Sequence, residues 1–264
     1  MMSLEISVLA SGSSGNSIVI KNNNNAILID CGLSGKELCK RLNKCGIKAE
    51  QLNSILVTHE HSDHIKGVGI LSRKCDLPIY ARKATWNQID EKIGNIDEKN
   101  CCIFKGDFMI EDFGIRPFSI SHDAVDPVGY IINYKNTKIG IATDMGCITP
   151  EIKKKLKGLD FFVLEANHDL EMLMNGSYPY YLKKRIKSKK GHLSNDESAE
   201  VLPDLIKDNF PRILLAHISQ ENNNPQVAYM TIENRLKREG LEVGKHLKMD
   251  YTFREKPTKL YKVI

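Results

Sequence analysis

No stretch of the sequence approaches the roughly 18–20 consecutive apolar residues with which a helix crosses a bilayer, so no membrane-spanning helix is expected. The opening residues, MMSLEI, carry no basic segment followed by a long apolar core, which argues against an export signal. Cysteine is present seven times, but the thiols are scattered, odd in number and nowhere spaced C-x-x-C. That excludes a thiolate zinc ribbon and a thioredoxin-like motif. Thiols without an export signal point to a reducing cytoplasm. No Gly-, Ser- or Pro-rich linker divides the chain, and no short repeat is visible. The reading is one domain over residues 1–264, long enough to bury a core without disulfides.

What is present is a succession of short apolar, β-branched runs alternating with helical patterns, the order of an α/β layered fold. The runs predict strands over 4–9, 17–20, 26–29, 54–58, 77–81, 113–119, 128–133, 138–143, 160–164, 212–216 and 259–263. The Asn-rich stretch 22–25 reads as a hairpin turn. Helices are predicted over 34–45, 65–72, 85–93, 149–156, 181–186, 194–207 and 225–238. Ser194 with Glu197 spells a capping box, and Thr149 followed by Pro150 spells a capped start. Trp86, the sole tryptophan, reads as core.

The residues that follow these strands carry the chemistry. Asp30, His59, His122, Asp144, Glu165 and His217 each stand at or just beyond a strand's C-terminal end. Open α/β sheets place their ligand sites there. A ring of imidazoles and carboxylates is a donor set for zinc, manganese or iron. The local run His59-Glu60-His61-Ser62-Asp63-His64 sharpens the point. In extended chain His59 and His61 share a side, while Asp63 and His64 stand where the chain turns helical. Four donors in six residues suggest two ions. Gly67 and Gly69 would let backbone approach closely.

With these motifs in view, the sequence resembles the metallo-β-lactamase-fold hydrolases over nearly its whole length, through Asp30 in ILIDCG, the His59/His61/Asp63/His64 cluster, His122, Asp144 and His217. The resemblance implies a four-layered αββα sandwich and a site for two divalent ions. One ion would be held by His59, His61 and His122, the other by Asp63, His64 and His217, with Asp144 bridging and Asp30 supporting the metal loop through hydrogen bonds. A full H-x-H-x-D-H argues against an antibiotic-degrading role. Residues 145–216 leave no room for the extra domain of β-CASP exonucleases, and no long Gly/Pro-rich arm of the tRNA 3′-processing type is visible. The run ASGSSGNS at 10–17, with EANHD at 165–169 and LAHIS at 215–219, is similar to the YycJ/WalJ branch of the family, which implies a 5′-to-3′ DNA exonuclease.

Within that resemblance His192, with Glu165 as its acidic partner, is the candidate proton donor to the leaving oxygen, while a hydroxide bridging the ions would attack phosphorus. The competing reading of His192 is a surface residue at a helix start. Ser13, Ser14 and Asn16, in a Gly/Ser loop after a strand, offer hydroxyls and backbone N–H groups to a phosphate; the loop lacks the Lys-Ser/Thr ending of a nucleotide-triphosphate loop. His168 and Asp169 stand open between contacting substrate or metal and capping a helix. Residues 178–190 join tyrosines to six cations in eight positions, Lys183, Lys184 and Arg185 among them. They read as a nucleic-acid contact, DNA more than RNA, against the alternative of a solvated basic face. The net charge of +5 permits a polyanionic substrate without demanding one. The runner-up function is a small thioester or lactone hydrolase on the same site.

Overall fold

The computed structural model describes residues 3–206 and 210–263. Two seven-stranded sheets form the centre. The first takes β1 (Glu5–Ala10), β2 (Ser17–Lys21), β3 (Ala26–Ile29), β4 (Leu52–Leu56), β5 (Ile79–Arg82) and β6 (Cys101–Phe104) in chain order, with the last strand, β14 (Tyr261–Lys262), outside β1. The second runs β13 (Lys248–Tyr251), β12 (Arg212–Ala216), β11 (Phe161–Glu165), β10 (Thr137–Ala142), β9 (Val128–Tyr134), β8 (Phe113–Ser119) and β7 (Phe108–Ile110). Each sheet is an antiparallel meander that continues into a parallel wing.

Side-chain alternation sorts the apolar residues into layers. Ile27 and Ile29 of β3 face the second sheet and join Phe113, Tyr130, Val163 and Leu214 in the central core. Ala26 and Leu28 face outward, against the helices α1 (Gly35–Lys44), α3 (Val68–Cys75) and α4 (Lys83–Ile93). On the other flank Phe162 and Leu164 of β11 pack under α5 (Pro150–Leu156), α8 (Asn195–Leu205) and α9 (Pro225–Arg238). Strands buried on both faces read as continuous apolar runs, which is why they were legible. The layers are α, β, β, α, as the resemblance implied. No helix among the described residues is long and apolar enough to cross a membrane.

Local signals held where they were specific. Ser194 accepts from Glu197 N, and the Glu197 carboxylate accepts from Ser194 N at 2.8 Å. Thr149 caps α5 ahead of Pro150. Asn22 folds the hairpin by accepting from the amides of Asn24 and Asn25. Trp86 is buried and donates to Cys102 O. A Cβ on Gly67 would lie 2.4 Å from Leu33 O, and one on Gly69 would lie 1.9 Å from Ile93 O, so both glycines do permit close backbone contact.

Other boundaries differ. The helix expected over 65–72 is two, α2 (Ser62–Ile65) and α3, so Asp63 and His64 stand on a helical turn rather than before it. The strand expected over 259–263 is confined to Tyr261–Lys262. The helix expected over 194–207 ends at Leu205, and Lys207 lies outside the described residues. Strands β6, β7 and β13 and helix α6 (Leu170–Asn175) had no counterpart in the sequence reading.

Candidate metal centre

Strand ends of both sheets deliver the polar residues to one place. Asp30 follows β3, His59 lies beyond β4, Asp144 beyond β10 and His217 beyond β12, while Glu165 is the last residue of β11. Asp30, Asp144 and His217 have φ of 59°, 58° and 55°. A left-handed backbone costs a non-glycine residue about 1–3 kcal/mol and persists where surrounding contacts over-determine it. Here three such residues cluster around one point.

His59 Nε2 lies 3.1 Å from His61 Nδ1, and His122 Nε2 lies 3.3 Å from the same atom. The remaining ring nitrogens of His59 and His122 are occupied elsewhere. Thr58 Oγ1 donates its hydrogen to Asp30 Oδ2 at 2.8 Å, so it accepts from His59 Nδ1 at 2.9 Å. His122 Nδ1 donates to Gly191 O at 3.3 Å. These outward bonds fix the tautomers and turn three lone pairs toward one another. Burial lowers the pKa of both His59 and His122, keeping them neutral donors.

A second group adjoins the first. His64 Nδ1 donates to Asp30 Oδ2 at 2.7 Å, which leaves Nε2 3.4 Å from Asp144 Oδ2 and 3.6 Å from Asp63 Oδ2. His217 Nε2 lies 3.4 Å from Asp144 Oδ1. Asp144 Oδ2 and His217 Nε2 are buried with no hydrogen-bond partner, although such groups are almost always satisfied in folded proteins. Burial opposes charge on His64, but the carboxylates of Asp30 and Asp144 outweigh it and push its pKa up to about 10. His217 is raised against its burial to about 9 by Asp144 and Glu165. Burial likewise opposes ionisation of Asp144, yet His217, His64 and His59 hold it well below the usual carboxylate range. The centre therefore demands positive charge, which protons on His64 and His217 supply in the metal-free chain. Orphaned donors around a buried carboxylate fit divalent cations. All seven residues expected as ligands are brought together, with Asp144 between the two groups.

Glu165 is wholly buried, and its Oε1 accepts from His192 Nδ1 at 2.8 Å and from His217 Nδ1 at 2.9 Å. Its Oε2 accepts from Met145 N at 2.6 Å. Burial raises its pKa, but His192 and His217 bring it below the usual value. His192 itself retains a 20% exposed side chain, so its Nε2 is the nitrogen left free. The ring of His192 stands beside the centre, 4.9 Å from that of His217 and 5.2 Å from that of His122.

Comparison with known proteins decides the family. The model of the "Beta-lactamase superfamily domain" matches residues 25–218, a span that runs from β3 to just past His217.

The chain belongs to the metallo-β-lactamase superfamily.

It is 41% identical over 98% of its length to "Exodeoxyribonuclease YycJ" of Bacillus anthracis, covering 99% of that protein. It is 39% identical to "Exodeoxyribonuclease WalJ" of Streptococcus pneumoniae, with 97% of each chain covered. Among solved structures, the metallo-β-lactamase fold protein YhfI from Bacillus subtilis superposes with a TM-score of 0.74 at 15% identity, covering 98% of this chain and 99% of that one. That likeness speaks for the fold alone. As a member of this superfamily the chain is a metal-dependent hydrolase that binds divalent metal.

The residues expected to bind substrate are dispersed around this metallo-β-lactamase centre. Asn16 is buried and turned inward, its Nδ2 3.0 Å from His64 Nε2 and 3.2 Å from Asp63 Oδ2, so it braces the metal loop. Ser13 and Ser14 are exposed, and Ser14 Oγ accepts from Arg254 Nε at 2.7 Å. His168 is 1% exposed, which withdraws it from solvent, and Asp169 caps α6 by accepting from Met172 N. Helix α7 (Tyr180–Ile186) buries no residue, and Tyr180 and Tyr181 are 75% and 74% exposed. Arg185 is not free: it is paired with Asp123, next to His122. Lys183 donates to Met174 O. The chain after α7 returns to the centre through His192 N, which donates to Ile186 O at 3.0 Å. A Cβ on Gly191 would lie 2.0 Å from that same carbonyl, so only glycine fits this return.

The sequence reading missed Thr58, which joins Asp30 to His59, and Asn167, whose amide donates to His217 O at 2.8 Å. Their position beside His59 and between Glu165 and His168 was the available signal.

Proposed function

We propose that the chain is a nuclease that hydrolyses DNA phosphodiesters from a strand end, in the 5′-to-3′ direction, with two divalent ions. Full-length similarity to chains named exodeoxyribonucleases supports it. The structural observation that carries it is α7, an exposed helix of tyrosines and lysines whose chain leads directly to His192. Lysines neutralise phosphates, and exposed tyrosines stack on unpaired bases. The seven free thiols suit a reducing cytoplasm.

In this reading His59, His61 and His122 would hold one ion and Asp63, His64 and His217 the other, with Asp144 shared. Two such ions supply hydroxide at neutral pH and polarise phosphoryl oxygens. Zinc, manganese and iron all accept this donor set.

The chain's own residues do the rest. His192 anchors Nδ1 on Glu165 and carries a proton on Nε2 for the departing oxygen. The buried Glu165 carboxylate orients the ring through that bond. A positioned acid of this kind contributes about 10²–10⁴-fold. Asp30 and Thr58 hold His59 and His64 in register.

The test is to load purified protein separately with manganese and zinc and supply 5′- and 3′-end-labelled single- and double-stranded DNA and RNA. A His59→Ala/Asp144→Ala variant serves as control. Metal-dependent release of the 5′ label first, from DNA and absent in the variant, is the expected result. Metal-loaded protein that cleaves no nucleic acid would overturn the reading and favour small thioesters or lactones.

A further inference from the structure

A cleft of about 670 Å³ opens on the His217 side of the metal centre, walled by Ser11, Ile218, Gln220, Phe253, Arg254 and Lys256. Two of its lining residues adjoin His217. Ser11 Oγ accepts from His217 N at 2.7 Å, and Ile218 follows His217 in the chain. Its volume lies within the roughly 300–1,000 Å³ of ligand pockets.

The lining has the chemistry of an anion site with an apolar wall. The Arg254 guanidinium donates to neutral groups, Ser14 Oγ and Gln220 Oε1. Lys256 Nζ stands 4.3 Å from the centroid of the Phe253 ring. Among the described residues neither cation is paired with a carboxylate, and Glu255 is the one acid in the lining. The N-terminus of the 14-residue helix α9 opens onto the same cleft through Asn224 and Pro225, adding the positive end of its dipole. Ile218, Pro225 and the half-buried Phe253 ring supply the apolar part.

The backbone that carries these cations is also anchored. The buried Arg41 donates to Arg254 O at 2.8 Å and to Leu9 O at 2.9 Å, pinning the loop to β1. Thr252 binds Leu215 O through both its amide and its hydroxyl. Such a loop loses little freedom when a ligand arrives.

We propose that this cleft is a nucleotide subsite of the strand, with a phosphate on Arg254 and Lys256 and the base against Phe253. The proposal rests on the nuclease reading and extends it: the strand lies across the metal centre, with α7 contacting it on one side and this cleft on the other. Ser14 serves here by orienting Arg254.

The test pairs binding with kinetics in the zinc-loaded full-length protein. Deoxyadenosine 5′-monophosphate should shift the backbone amide resonances of residues 218–220 and 252–256. An Arg254→Ala/Lys256→Ala variant should lose those shifts with its metal content and melting temperature unchanged. For a single-stranded oligonucleotide that variant should raise KM roughly tenfold or more, with kcat changed by less than about twofold, the mark of lost uniform binding. The slope of log KM against log salt should fall by about 0.7, as one phosphate of a single strand is no longer neutralised. Arg254→Lys should restore part of the loss. If the wild type cleaves DNA while the variant keeps KM and salt slope, the cleft is outside the strand path and the proposal falls, with the nuclease reading intact. If no nucleic acid is cleaved, the nuclease reading falls, and the nucleotide titration decides the cleft. Shifts elsewhere only, or shifts that survive in the variant, overturn it.

Discussion

At the scale of single residues the centre turns on which nitrogen of each histidine is occupied. His192→Ala removes a proton carrier but no expected ligand. It should keep full metal content, measured by elemental analysis, and lose about 10²–10⁴-fold in turnover. Glu165→Gln should behave differently, because Glu165 Oε1 serves both His192 and His217. Loss of the carboxylate should weaken metal affinity by about 10–100-fold as well as turnover. Equal metal affinity in the two variants would show that Glu165 acts on His192 alone.

The same residues fix a pH dependence. His64 and His217 are raised in the folded, metal-free chain from 6.5 to about 10 and about 9. A raised folded value contributes stability that is complete below the unfolded value and is lost as pH climbs through the folded one. The chelated protein should therefore lose melting temperature between pH 6.5 and 10. Metal must displace those protons, so its affinity should rise over the same range. Calorimetric metal titrations in buffers of different ionisation enthalpy should report protons released at pH 7, and none released would remove this account.

At the scale of elements, α7 is the telling case. It contributes no buried residue to the fold, so its substitution should cost little stability. Lys184→Ala/Lys187→Ala should raise KM for DNA and flatten its salt dependence, with kcat and unfolding midpoint nearly unchanged. Arg185 is better left in place, because its pairing with Asp123 ties the helix to the His122 loop. Helix and strand signals in the sequence succeeded where burial on both faces imposed an unbroken apolar run, as in β3 and β11. They failed at β6, β7 and β13, which are the outermost or near-edge strands: Cys101 to Ile103 are incompletely buried, β7 has three residues, and β13 carries Lys248 and Asp250. An edge strand has a partner on one side only and needs no strong pattern.

At the scale of the whole molecule, the site exists because two sheets are held in register. Tyr130 of β9 crosses between them, buried, and donates to Val57 O beyond β4 at 2.7 Å. Tyr130→Phe keeps the ring but leaves that carbonyl without this partner. It should destabilise the protein by about 1–3 kcal/mol in urea unfolding, and it should loosen His59, two residues on, without removing any ligand.

The sequence by itself determined the layers and the polar residues at the strand ends. A strand buried on both faces must be apolar, so a histidine or carboxylate at its exit stands out, and H-x-H-x-D-H concentrates four donors in one turn of chain. Only the tertiary structure decided how those side chains share partners. Glu165 bonds His192 and His217, which lie 27 and 52 residues away. Arg185 is drawn to Asp123, and Arg254 meets Ser14 across 240 residues. Periodicity records which way a side chain faces relative to its own strand or helix. It holds no record of which distant side chain waits there, because that follows from how the two sheets pack.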